Sequence, residues 1–184
     1  MRILLVTLLA LSAITMSAAE EKTFLESYGG QSTDELIALA DSHRVDSIVS
    51  AFEQAIERKK EKKQKLSQVE LDILAIEAME REVNNGGYHQ FFFNSSKEYA
   101  AILPAALKRI GCPKAAQISS EALSYLGIKG DVTSDKITSS LETLGEKAID
   151  DLARIDERYF KNDEAIADKS FAYIKSEKSE IILK

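Results

Sequence analysis

The chain has 184 residues, 45% apolar and 29% charged, which suits one globular domain with a hydrophobic core. With 24 basic against 30 acidic residues, the net charge is −6 and the pI near 5.1. This balance argues against direct nucleic-acid binding, which needs a basic face, and leaves room for a basic protein partner.

The opening residues, MRILLVTLLALSAITMSAA, have Arg2 before an apolar run from Ile3 to Ile14. Small residues at Ser17 and Ala19 then provide a signal-peptidase site. Residues 1–19 read as a secretory signal cut after Ala19, which predicts a periplasmic or secreted protein with no membrane association after cleavage. An uncleaved anchor is the alternative, because Ile3 to Ala19 is near the short limit for a span. No cysteine follows the apolar run to take a lipid. The lone Cys112 cannot close an internal disulfide and reads as a small packed residue.

No strand-like alternation follows. Three Ser-x-x-Glu pairs, Ser32/Glu35, Ser67/Glu70 and Ser95/Glu98, have the spacing of helix-starting capping boxes. Residues 20–66 read as an N-terminal helical segment, interrupted near Ser42-His43. The basic run from Arg58 to Lys65 suits a helix C-terminus. From Gln68 to about Asn84, Leu71, Leu74, Ala75, Ala78, Met79 and Val83 form an apolar stripe, with Glu70, Asp72, Glu77 and Glu80 largely off it. Ser96 to Ile110 predicts another helix, with Pro104 either kinking it or marking a shortened first turn. Pro113 opens a helix to about Tyr125. Asp135 to Phe160 reads as one long helix, and Asn162 or Asp163 as the cap of a last one. The tail, residues 179–184, reads as frayed. The expectation is an all-α, single-domain bundle of about six helices, its main part spanning residues 67–178.

One corner stands out: Asn84-Asn85-Gly86-Gly87-Tyr88-His89-Gln90-Phe91-Phe92-Phe93-Asn94. A helix ending at the asparagines needs a left-handed residue, which glycine supplies. Some of Tyr88, Phe91, Phe92 and Phe93 should fill the core, each contributing on the order of 1.5–3 kcal/mol. Gln90 and Asn94 would satisfy loop amides and carbonyls, and Asn94 or Ser95 would start the next helix. The competing reading is a polar pocket of Asn85, His89, Gln90 and Asn94 with His89 as acid or base. His89 and His43 lie far apart, which is a poor metal pattern, and no nucleophile, phosphate-loop or metalloprotease motif occurs. No catalytic residue, metal or cofactor is therefore expected.

The run from Glu82 to Ser95 resembles the Asn-Gly-Gly-aromatic-x-Gln-aromatic-x-Asn signature of the DNA-mimic protein family, whose C-terminal domain was formerly a domain of unknown function. The stretches Ala105 to Gly111 and Leu152 to Phe160 are similar to later parts of that family. On this basis Asn85, Gly86, Gly87, Tyr88, Gln90, Phe91 and Asn94 form a structural motif rather than a binding surface. The resemblance implies an all-helical fold and a binding role, in which an acidic surface occupies the DNA-binding site of a transcriptional regulator; it implies no catalysis.

The candidate contact surface is the row Asp135, Glu142, Glu146, Asp150 and Glu157. Glu142, Glu146 and Asp150 are spaced by four, about 6 Å apart along a helix, against about 3.4 Å per phosphate along one DNA strand. An ordinary solvated helix face is the alternative, and Lys136, Lys147 and Arg154 dilute the row. The expectation is an exported, non-catalytic protein-binding module. DNA mimicry is the first alternative, and an enzyme using His89 the second.

Overall fold

Two of the three Ser-x-x-Glu pairs form complete capping boxes in the structure, a computed structural model that describes residues 21–183. The predicted signal, residues 1–19, lies outside the described residues. At the start of α1 (Thr33–Ala38), Glu35 accepts from the Ser32 amide at 2.6 Å while the Ser32 hydroxyl accepts from the Glu35 amide. Ser67 and Glu70 do the same at the start of α3 (Gln68–Phe93). Between them lie a short turn, Leu39–Asp41, and α2 (Val45–Glu61), so the interruption near Ser42-His43 is real.

The third pair does not cap. Ser95–Tyr99 is a 3-10 turn, and Glu98 receives Lys60 at 2.8 Å instead. The helix expected from Ser96 is therefore shortened to α4 (Leu103–Arg109), with Pro104 in its first turn where a missing N–H costs nothing. Next come α5 (Pro113–Tyr125), α6 (Ser134–Leu144), α7 (Lys147–Phe160) and α8 (Ile166–Ser176). The residue before α8 is Ala165, not Asn162 or Asp163, and its side chain makes no cap.

The predicted long helix is thus two helices. Gly145 (φ 56°, ψ −144°) ends α6, its N–H bonded to the Leu141 carbonyl at 2.9 Å. The apolar face nevertheless continues across the break through Ile137, Leu141, Ala148, Leu152 and Tyr159, all buried. A glycine leaves no mark on an apolar pattern, so the periodicity did not register the change of direction.

All described helices pack as one all-α domain around α3, which meets α2, α4, α6 and α7; among the described residues the only β pairing is an isolated bridge between Thr23 and His43. Ile48, Phe52 and Ile56 of α2 are completely buried, so the N-terminal segment completes the same core. Glu70 and Asp72, placed off the buried stripe by their sequence positions, are also completely buried. Each is paired: Glu70 with Lys59 at 2.7 Å, Asp72 with Arg109 through two bonds of 2.5 Å and with the Tyr173 hydroxyl at 3.0 Å. These carboxylates tie α3 to α2, α4 and α8, and removing a partner would strand a buried charge.

The tail past α8, expected to fray, is docked. Ile181 is buried, its carbonyl accepts from Thr33 Oγ1 at 2.7 Å, and the Ile182 amide donates to Glu70 at 3.2 Å.

Candidate functional site

The glycine corner is a kink within α3 rather than a loop. Gly86 (φ −161°, ψ 26°) and Gly87 (φ 72°, ψ −176°) leave helical geometry, and the helix restarts at once through Phe93. Gly87 has a conformation essentially reserved for glycine. The restarted turn has unpaired amides, and Asp156 of α7 serves one of them, accepting from the Tyr88 N–H at 2.8 Å. Burial holds the Asp156 carboxyl above the ordinary range, with the Tyr88 amide and the His89 charge pulling the other way.

Past the kink, the rings divide. Tyr88, Phe91 and Phe92 are buried, with Tyr88 edge-on to Tyr159 at 6.1 Å and its hydroxyl paired with Ser119 Oγ at 2.7 Å. Phe93 is 66% exposed. Gln90 and Asn94 do not serve loop amides and carbonyls; both donate to Glu82, at 2.8 and 2.7 Å, and Ser96 Oγ adds a third bond at 3.0 Å. Burial alone would raise the Glu82 pKa, but these donors and Arg81 outweigh it and hold the carboxyl below its usual range. Glu82 is therefore the hub that clamps the two halves of α3 together. Asn85 is exposed.

Neither Glu82 nor Asp156 was legible as a functional position. Gln90 and Asn94 lie eight and twelve residues past Glu82, beyond the three- and four-residue reach of helix pairing rules. The polar pocket is likewise not assembled as expected: the side chains of Gln90 and Asn94 belong to Glu82, while the half-buried His89 stacks on Phe93 with centroids 6.1 Å apart. Among the described residues, no group of three His, Cys, Asp or Glu side chains is placed to hold a metal ion.

Asp135, Glu142, Glu146, Asp150 and Glu157 are all exposed. The break at Gly145 removes the single straight row: Asp135 and Glu142 lie on α6, Glu146 precedes α7, and Asp150 and Glu157 lie on α7. Only Glu157 of the five has a cation within 4 Å among the described residues, Lys161 at 3.5 Å. The cations thought to dilute the row are engaged elsewhere. Lys147 and Arg154 both pair with Asp151, and Lys136 donates to the carbonyls of Lys129 and Asp131. A groove of about 400 Å³ runs beside the break, between His89 and Phe93 on one wall and Glu142, Glu146 and Ile149 on the other.

Fold and corner together define an all-α domain built on a central helix kinked at Gly86-Gly87 and locked by two carboxylates. A family model described as DMP19-like protein matches residues 64–177, more than half of the chain. The protein belongs to the DMP19-like family, as the corner's resemblance to the DNA-mimic signature implied. The matched span runs from just before α3 to the end of α8, so α1 and α2 precede it while α2 shares its core. No curated protein and no solved structure matched the chain.

Proposed function

We propose that this protein is a non-catalytic binding module that engages a basic surface of a partner protein through the carboxylates of α6 and α7. The observation that carries this reading is that Asp135, Glu142, Glu146 and Asp150 are exposed and have no cation in ion-pair range among the described residues, while neighbouring Lys147 and Arg154 are drawn onto Asp151. Such a surface keeps its negative charge available and attracts a basic partner over a distance of about a Debye length. The sequence of residues 1–19 supports action after export, in the periplasm or outside the cell.

Membership of the DMP19-like family favours a second reading, in which the acidic surface occupies the DNA-binding site of a transcriptional regulator. The break at Gly145 weighs against a long, evenly spaced imitation of phosphates. A photoreactive residue in place of Asp150 tests the surface in cells. A cross-linked protein partner is expected, and it should disappear when Glu142 and Glu146 are changed to lysine. A cross-link that survives this reversal would refute the assignment of the surface. Intact-mass measurement on separated cell fractions distinguishes the two readings. A chain beginning at Glu20 outside the cytoplasm supports the first, and a full-length cytoplasmic chain supports the second.

A further inference from the structure

The groove beside the α6–α7 break combines two features that the acidic residues alone do not provide. Its apolar surface is exposed: Phe93 is 66% and Ile149 50% accessible, and buried Leu141 also lines it. Large apolar side chains left together in water mark a contact site more often than scattered ones do. Its acidic rim comprises Glu142 and Glu146, on either side of Gly145, where an added Cβ would meet nothing within 4 Å. The carbonyl end of α6 opens at the same place and has no basic residue in its last turn, so its partial negative charge adds to the two carboxylates. Two cations are near. Lys97 lines the groove but donates to the Phe93 carbonyl at 2.9 Å, which holds its charge at the end of α3. Lys147 is turned to Asp151 and the Tyr125 ring.

We propose that this groove docks a cationic amphipathic helix of the partner protein, with an apolar side chain against Phe93 and Ile149 and a lysine or arginine against Glu142 and Glu146. The inference rests on the protein-binding reading above and supplies the place and chemistry of the contact. A helix laid in a groove presents apolar anchors one turn apart on one face and charges along its edge, which matches an apolar surface beside a single acidic rim.

The test uses the processed chain and three fluorescein-labelled peptides about 14 residues long, near the length at which an isolated helix becomes appreciable. One is a leucine/lysine amphipathic helix, one replaces leucine with alanine, and one replaces lysine with glutamate. Fluorescence anisotropy should show binding of the leucine/lysine peptide, weakened by added salt. The other two should bind at least about tenfold more weakly. Phe93→Ser with Ile149→Ser, and separately Glu142→Lys with Glu146→Lys, should each cost at least about tenfold for the leucine/lysine peptide. All four side chains are exposed, so circular dichroism should be unchanged. Equal binding of the alanine/lysine peptide, with no effect of Phe93→Ser, would overturn the groove while leaving an acidic protein-binding surface standing. Loss of both the peptide binding and the cross-link from position 150 would remove both. A concentration-dependent dimer in sedimentation that Phe93→Ser dissociates would overturn the proposal by making a second copy of this chain the occupant.

Discussion

Gly87→Ala is the substitution that most directly probes the kinked helix. Gly87 has φ 72° and ψ −176°, a region costing a residue with a side chain about 1–3 kcal/mol. The added Cβ would stand 2.6 Å from Cγ of Asp156 and closer still to Oδ2, so the carboxylate must move. Its 2.8 Å bond to the Tyr88 amide is then lost, for about another 1.5–3 kcal/mol when Asp156 is ionised. The expected total is about 2.5–6 kcal/mol, read as a fall in urea unfolding free energy. Gly111→Ala is the control: φ is 81° there, but nothing lies within 4 Å of the new Cβ, so only a backbone cost of about 1–2 kcal/mol applies. In an Asp156→Ala background, Gly87→Ala should cost about 1.5–3 kcal/mol less than in the parent, because the clash and the bond are already gone. Equal costs at positions 87 and 111, or no coupling to position 156, would refute the account of the corner.

Three further outcomes follow from titratable groups that are buried or half-buried. Glu82→Gln leaves the donors of Gln90, Asn94 and Ser96 facing an amide in place of a carboxylate, and should cost about 2–3 kcal/mol in urea unfolding; a neutral result would mean Glu82 does not clamp the corner. Glu77 is pushed up to about 8 by burial first and then by the carboxylates of Glu53 and Glu80. The folded state thus binds this proton more tightly than the unfolded chain. Its contribution is fully present below the ordinary carboxylate range and is lost as pH rises through about 8. Glu80, raised chiefly by burial, acts in the same direction, whereas Glu82, held low, withdraws stability only as pH falls. Glu77→Gln should therefore flatten the decline between pH 5 and 8 and raise stability at the upper end by on the order of 2 kcal/mol. An unchanged pH profile would count against it. Cys112 is fully buried and its thiol is pushed up to about 11 by burial, so an aromatic disulfide reagent at neutral pH should label it only as fast as the protein unfolds. Rapid labelling of the folded protein would contradict its packed position.

The kink and its two carboxylates also separate the work of the molecule. Gly86, Gly87, Tyr88, Gln90, Phe91 and Asn94 are consumed in shaping α3 and filling the core, while Phe93 and His89 on the same turn remain at the surface. The family's motif therefore builds the scaffold and, through the end of α3, positions one wall of the groove. The other wall comes from the α6–α7 break, outside the motif.

Much of this architecture is local chemistry, and local chemistry is legible in a sequence. The boxes at Ser32 and Ser67, the prolines at 104 and 113, and the apolar periodicities determine an all-α chain and the starts of α1, α3, α4 and α5, because each depends on residues within one turn. The need for a left-handed glycine at the corner and the burial of Tyr88, Phe91 and Phe92 were readable for the same reason. Tertiary packing decided the rest. Ser95 and Glu98 have the spacing of a capping box, yet Lys60 from α2 takes the glutamate. The tail is held because α1 offers Thr33 and α3 offers Glu70. The row of acidic residues splits at Gly145, and the groove exists only because that break faces the end of α3. Helix rules reach four residues along one chain, whereas these contacts join residues 38 to 148 apart, and their partners are set by which surfaces the fold brings together.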